Sequence, residues 1–204
     1  YFRAQDYFNN INFVACADIN LDAAKKTADQ YNIIPLSVDE ILNDKNVDII
    51  LNLTIPQAHY EISKRALEAN KHVYCEKPMS VKFDEAKELL NLAKKNSLYI
   101  GNAPDTFLGG GGQLTRNLID NNDIGQVLTG NFIFAFPGVQ DFHPSPESWF
   151  QEGGGPVIDM GPYFFTTLVN LLGPVKNIRG RGAKFSDKRE YKAGPKKGET
   201  FNVE

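Results

Sequence analysis

Apolar residues follow two rhythms through the first hundred positions. Short unbroken runs at residues 13–17 (FVACA), 47–53 (VDIILNL), 72–75 (HVYC) and 98–101 (LYIG) predict buried strands. The second run is apolar enough for a strand covered on both faces. Between the runs, apolar residues return every three or four positions. Leu21, Ala24, Ala28 and Tyr31 predict a helix over 21–31 behind Asn20, whose side chain suits an N-cap. Ser37 and Glu40 stand at capping-box spacing ahead of Ile41 and Leu42, marking a short second helix. A helix over about 57–69 follows Pro56 and stops at Asn70, a residue that tolerates the left-handed conformation. Ala86, Leu89, Leu90 and Ala93 mark the apolar face of another over 83–95. Strand and helix alternating with short connections predict a doubly wound α/β domain over residues 1–102.

The rhythm changes after residue 102. Four glycines at 109–112 precede a predicted helix at 113–121, with Leu114, Leu118 and Ile119 on its apolar side. Residues 127–136 (VLTGNFIFAF) alternate like a long antiparallel strand, and 137–152 form a loop rich in Pro, His and aromatics. Gly153-Gly154-Gly155-Pro156 opens a helix expected to run through Leu172, and 175–185 read as a further strand. Residues 201–204 look extended, with no partner strand after them. A second α+β domain over 103–204, with a mostly antiparallel open sheet left incomplete, is the expectation. Tyr1 falls inside a helix-like stretch, so both ends read as cut and residues 1–10 as the remainder of a helix.

Composition narrows the function classes. Hydrophobic residues make up 42% and charged residues 23% of the 204 positions, as in an ordinary globular chain. Lys and Arg number 22 against 25 Asp and Glu, and a net charge of −3 argues against a general nucleic-acid binder. No apolar run is long enough to span a membrane. Cys16 and Cys75 both sit in strand-like runs, which speaks against a disulfide framework and for a reducing cytoplasm. No His/Cys spacing suits zinc, so no metal is expected.

Several residues stand where ligands gather in open parallel sheets, beyond the carboxyl ends of strands. Asp18 is either a carboxylate for adenosine ribose hydroxyls or a polar strand-end residue opening a turn. A glycine fingerprint would stand about 20 residues before such a carboxylate. That position precedes Tyr1, and no G-x-G-x-x-G follows a strand here, so the glycine loop is expected upstream. In the ribose reading Asp18 repels a 2′-phosphate, and no Arg at 19 or 20 would receive one, which favours NAD over NADP. Residues 54–59 (TIPQAH) follow the second strand, where His59 either faces a nicotinamide ribose or only water. Glu76-Lys77-Pro78 follows the third strand, as a functional pair or as a surface pair beside a loop proline. Lysine serves as a base at neutral pH only when desolvation or a nearby cation lowers its pKa from about 10.4.

Asp159 and Tyr163 are four apart in the predicted helix, so they share a face. They either handle a substrate hydroxyl or serve as a helix-start carboxylate and a core aromatic. His143 is placed to reach a sugar hydroxyl, with Trp149 and Phe150 walling a pocket, or else the loop packs its own aromatics. The glycines at 109–112 lack the Lys-Ser/Thr of a P-loop, so tight packing or a hinge outranks phosphate binding.

Asp18 after a strand, the 54–59 turn, Glu76-Lys77-Pro78 and the run GGGPVIDMGPY at 153–163 occur in that order. Together they resemble the glucose-fructose oxidoreductase / inositol dehydrogenase / MocA family, over essentially the whole chain. The resemblance implies a Rossmann domain, then a domain on an open, mostly antiparallel sheet through which the protein forms homo-oligomers. It implies NAD(P)-dependent hydride transfer to or from a hydroxyl-bearing carbon of a sugar, inositol or related polyol. In its terms Lys77 meets the reacting hydroxyl, and Asp159 orients the substrate. Asp18 holds the adenosine ribose, while Thr54, Pro56, His59, Glu76 and Lys77 line the cofactor site.

Two departures stand out. Relatives often carry a histidine acid/base where this chain has Tyr163, and tyrosine titrates near pH 10, which shifts proton transfer toward Lys77. Where relatives often have an arginine after the last strand, this chain has Asn102-Ala103-Pro104-Asp105, making Asp105 a candidate hydroxyl ligand. The rival readings are a non-catalytic dinucleotide- or sugar-sensing regulator and an inactive remnant of such a dehydrogenase.

Overall fold

The computed structural model describes residues 1–151 and 154–204, which divide into two compact units, Tyr1–Asn102 and Ala103–Glu204. In the first unit the elements run β1 (Ala15–Ala17), α1 (Leu21–Tyr31), β2 (Ile34–Leu36), α2 (Val38–Asn43) and β3 (Ile49–Asn52). There follow α3 (Pro56–Glu68), β4 (His72–Cys75), α4 (Phe83–Lys95) and β5 (Ile100–Asn102). All pairings are parallel: β1 with β2, and β3–β4–β5 in order, with Ile50 opposite Val73 and Val73 opposite Ile100. The α/β class of the sequence reading holds. Its ladder bonds nevertheless fall into two sheets, β1–β2 and β3–β4–β5.

Local chemistry sets the helix ends. Asn20 accepts hydrogen bonds from the backbone of Asp22 and Ala23, and α1 closes on Asn32 in the left-handed region at φ 53°. Ser37 and Glu40 form the reciprocal capping box that starts α2. Leu67, Leu89, Ala66 and Cys75 are fully buried and join Leu42, Val47, Ile50, Val73 and Ala93 in one core. That core packs β3 and β4 against α3 and α4, two helices that lie side by side with Lys64 of one paired to Glu88 of the other.

Four expectations for this unit are corrected. Residues 1–10 contain a 3-10 turn, Phe2–Asp6, rather than a helix; Phe2 is pinned against Phe13 and Tyr31 at ring separations of 5.1 and 4.6 Å. β1 is half-buried rather than buried. β2 was not anticipated, because its three residues include Pro35 and only pairing with β1 defines it. Leu90 is 51% exposed, lying about 100° round the helix from core-facing Leu89.

In the second unit the helices are α5 (Gly110–Asp120), α6 (Gly155–Asp159) and α7 (Gly161–Leu172), followed by β6 (Lys188–Glu190) and β7 (Thr200–Asn202). α5 begins inside the glycine run. A Cβ at Gly112 would lie 2.1 Å from the Phe107 carbonyl oxygen, so glycine is required where the helix packs on the turn before it. Arg116 donates to the carbonyls of Asn170 and Leu171, tying α5 to the end of α7.

The expected strands at 127–136 and 175–185 are absent: neither segment has a ladder partner among the described residues. Instead Phe132 and Phe134 set their rings against Phe164, while Leu128, Ile133 and Ile178 are exposed. The extended tail does find a partner, but before it in sequence: β7 pairs antiparallel with β6, with Phe201 opposite Arg189. The single helix expected through Leu172 is broken at Met160. Pro162 has no N–H to give Ile158 and its ring would crowd that turn, so the chain restarts with proline in the first turn of α7.

Candidate functional site

Three parallel strands, β3, β4 and β5, deliver their carboxyl ends to one rim, and Thr54, Pro56, His59, Glu76 and Lys77 lie on the loops and helix start that follow β3 and β4. Asn52, the last residue of β3, is 2% exposed. Its Oδ1 accepts from the Thr54 hydroxyl at 2.7 Å and the Thr54 N–H at 3.2 Å, while Nδ2 donates to the His59 carbonyl at 3.1 Å and the Ser63 hydroxyl at 3.0 Å. One buried amide thereby sets the turn at 53–55 and anchors α3. Thr54 itself is exposed, and Pro56 starts α3, where its missing N–H costs nothing.

His59 is 1% exposed, with Nδ1 2.6 Å from the Pro78 carbonyl oxygen and Nε2 2.8 Å from that of Thr54. Neither sequence reading describes it: the ring does not face water, and with both nitrogens on backbone carbonyls it offers no polar atom to a nicotinamide ribose, which corrects its expected place in the cofactor lining. Its ring lies between the loop after β3 and the loop after β4.

The Glu76-Lys77-Pro78 segment is fastened along its length. Glu76 N–H donates to the Asn52 carbonyl at 2.9 Å, and Asn102, at the end of β5, donates from Nδ2 to the carbonyls of Cys75 and Glu76, both at 2.9 Å. The Lys77 N–H donates to the Glu76 carboxylate at 2.9 Å, and that carboxylate also accepts from the Tyr1 hydroxyl at 2.6 Å. The Lys77–Pro78 peptide is cis. Lys77 is half-buried on a backbone held at residues 76 and 78. Burial pushes the Cys75 thiol beneath this loop up to about 11, the Ser63 hydrogen bond opposing and the nearby Glu76 charge adding to the rise.

Asp18 stands just past β1, exposed, with Oδ1 accepting from the Asn20 N–H at 2.8 Å. It does open a turn, the one that precedes α1, and it does so from a strand's carboxyl end. Burial, and then the Asp18 charge, raise the Cys16 thiol above its ordinary range.

The remaining candidates belong to the second unit. Asp159 ends α6 and Tyr163 lies in the first turn of α7, both half-buried, so the two are carried by separate helices and not by one. Gly153 of the glycine run lies outside the described residues; Gly154 packs so closely that a Cβ would meet the Ser148 carbonyl oxygen at 2.5 Å. Asp105 is exposed and precedes the 3-10 turn Thr106–Leu108. His143 is half-buried, its ring 4.5 Å from that of Trp149, and Nδ1 accepts from the Ser145 N–H at 3.1 Å. A neutral ring then carries its proton on Nε2 and presents a donor.

The His143 loop is clamped to the β6–β7 hairpin. Tyr191 and Lys196 both donate to the Glu147 carboxylate, and Phe201 packs between Phe150 and Tyr191. The Tyr191 hydroxyl above all, with its own backbone and Lys196, holds the Glu147 carboxyl down at about 2. A cavity of about 370 Å³, whose charged lining is Arg189, Glu190 and Lys192, contains none of the sequence-predicted site residues.

Asn52, Ser63 and Asn102 were not singled out from sequence. The available signal was a lone Asn closing an otherwise apolar strand run, since a buried amide must find partners.

Comparison with known proteins gives two family models. One described as an oxidoreductase family with an NAD-binding Rossmann fold matches residues 2–102, and one described as a GFO/IDH/MocA C-terminal domain matches residues 113–200. An uncharacterized oxidoreductase of Schizosaccharomyces pombe is 33% identical over 152 residues, 73% of this chain and 40% of that protein. An inositol 2-dehydrogenase of Salmonella typhimurium is 30% identical over 132 residues, 62% of this chain and 39% of that protein. The chain thus spans about two-fifths of the length of these relatives. Among solved structures, an NAD-binding oxidoreductase from Klebsiella pneumoniae aligns at a TM-score of 0.80 and 23% identity, covering 99% of this chain and 55% of that one. That likeness carries the fold.

Proposed function

Since the chain belongs to the GFO/IDH/MocA oxidoreductase family, we propose that it is the core of an NAD-dependent dehydrogenase acting on a hydroxyl-bearing carbon of a sugar or cyclic polyol. The observation that supports this reading most is the fastening of the Lys77 backbone at the carboxyl rim of a parallel sheet, where a nicotinamide ring would lie. The cofactor supplies the hydride acceptor. Lys77 takes the proton of the substrate hydroxyl as the hydride leaves.

In this proposal Asp159 orients the substrate and Tyr163 assists the proton transfer. His143, presenting Nε2–H, and Asp105 bind further hydroxyls. Asp18, with Thr54, Pro56 and Glu76, serves the cofactor. Its charge at the end of β1 opposes a 2′-phosphate, which favours NAD over NADP.

Purified protein incubated with NAD or NADP and a panel including myo-inositol and D-xylose tests the reading, with NADH absorbance as the signal. Reduction of NAD by at least one polyol, faster than of NADP, is expected. Binding of NAD without reduction by any member would instead support a sensing role.

A further inference from the structure

Histidine 59 is the one imidazole of the first unit whose two nitrogens both face backbone carbonyls, Pro78 at 2.6 Å and Thr54 at 2.8 Å, with the ring 1% exposed. A neutral ring has one N–H and satisfies one of these oxygens; the imidazolium satisfies both. The ring sits between the loops that follow β3 and β4, within hydrogen-bond distance of a carbonyl of each. Pro78 is the residue immediately after Lys77, and Thr54 is held from below by Asn52. On the other side of Lys77, Asn102 fixes the Glu76 carbonyl and the Asn52 carbonyl fixes the Glu76 N–H.

We infer that His59 is a positioning residue for Lys77: its buried ring braces the Pro78 carbonyl against the Thr54 turn and so aims the lysine without touching cofactor or substrate. This rests on the dehydrogenase reading for its catalytic consequence, while the brace itself stands on the geometry alone. An amine on a four-carbon stem is a poorly placed base unless its root is fixed, and a misplacement of about 1 Å can cost about 100-fold in rate. Asn102 holds the near side of that root and His59 the far side.

The test compares the wild-type chain with His59→Phe, which keeps the ring but no donor, and His59→Gln, which keeps a donor for one carbonyl. For His59→Phe the expected result is a fall in kcat of about 10- to 100-fold with the NAD dissociation constant changed less than about threefold, and an intermediate kcat for His59→Gln. A folded His59→Phe protein with unchanged kcat overturns the inference, as does a loss confined to NAD affinity. Should His59→Phe not fold, His59→Gln alone decides by the same split between kcat and affinity.

Amide hydrogen exchange in cofactor-free protein separates this inference from the functional reading. Residues 76–80 should exchange at least about tenfold faster in the variant than in wild type, with β4 unchanged. If the wild type reduces no NAD, the dehydrogenase reading fails while this exchange result still judges the brace. Unaltered exchange at 76–80 refutes it.

Discussion

Replacing Asn52 by alanine should loosen the rim of the first unit in a way that can be calculated. The side chain is 2% exposed and makes four hydrogen bonds, two accepted from Thr54 and two donated, to the His59 carbonyl and the Ser63 hydroxyl. A typical intramolecular hydrogen bond contributes about 1 kcal/mol net, and a buried group left unsatisfied costs about 1–3 kcal/mol. Thr54 is exposed, so water can replace its lost acceptor; the His59 carbonyl and the Ser63 hydroxyl are buried and lose the Asn52 donor with no water to replace it, though Ser63 keeps its bond with Cys75. The expected destabilisation is therefore about 2–4 kcal/mol, a large share of the roughly 5–15 kcal/mol that holds a domain folded. In urea, with a slope of about 1.5 kcal/mol/M, the midpoint seen by far-UV circular dichroism should fall by about 2 M at unchanged slope. Asn52→Asp keeps the acceptor for Thr54 but cannot donate to the His59 carbonyl, and it buries a charge, so it should do no better. A shift equivalent to less than about 0.5 kcal/mol in Asn52→Ala would refute the assignment of Asn52 as the rim's organising residue.

Two further outcomes follow from the charges and thiols. Glu147 is held at about 2 by Tyr191, its own backbone and Lys196, below the usual carboxylate value of about 4.3. A carboxylate with a depressed folded-state pKa contributes stability that is present above its unfolded value and lost as pH falls through the folded one. The melting temperature reported by Trp149 fluorescence should therefore drop between about pH 5 and pH 2, and Glu147→Gln should flatten that drop while lowering the melting temperature at neutral pH. Equal slopes would show that the Glu147 cluster carries none of the acid sensitivity. The Cys75 thiol, buried and raised to about 11, should resist a thiol reagent at pH 8 until the protein unfolds, counted by mass. Labelling of Cys75 in native protein as fast as in denatured protein would contradict its burial.

What was legible in the sequence was what adjacent residues decide. Asn20, Ser37 and Glu40 cap helices through bonds to backbone two or three positions away, and spacing alone reveals them. The helices α1 to α4, the strands β1, β3, β4 and β5, and the candidates at the ends of β3 and β4 follow from the same local periodicity. What depends on a distant partner was hidden. Residues 127–136 have the alternation of a strand, but a strand also needs a neighbour for its N–H and C=O groups, and the side-chain pattern does not say whether one is there. β2 is the converse, a three-residue segment containing Pro35 that only its partner makes a strand. Pro162 breaks the helix between Asp159 and Tyr163, but the apolar run that continues through Leu172 masks that break in the hydrophobic pattern. His59 was singled out, yet its role between two carbonyls required knowing that the loops after β3 and β4 approach each other.

The central claim is that Lys77 takes the substrate's proton during hydride transfer. Steady-state reduction of NAD by the responding polyol, measured for wild type and Lys77→Ala with NAD affinity followed by calorimetry, addresses it most directly. Lys77→Ala should lose about 100-fold or more in turnover with NAD affinity nearly unchanged. Turnover that survives the substitution would contradict it.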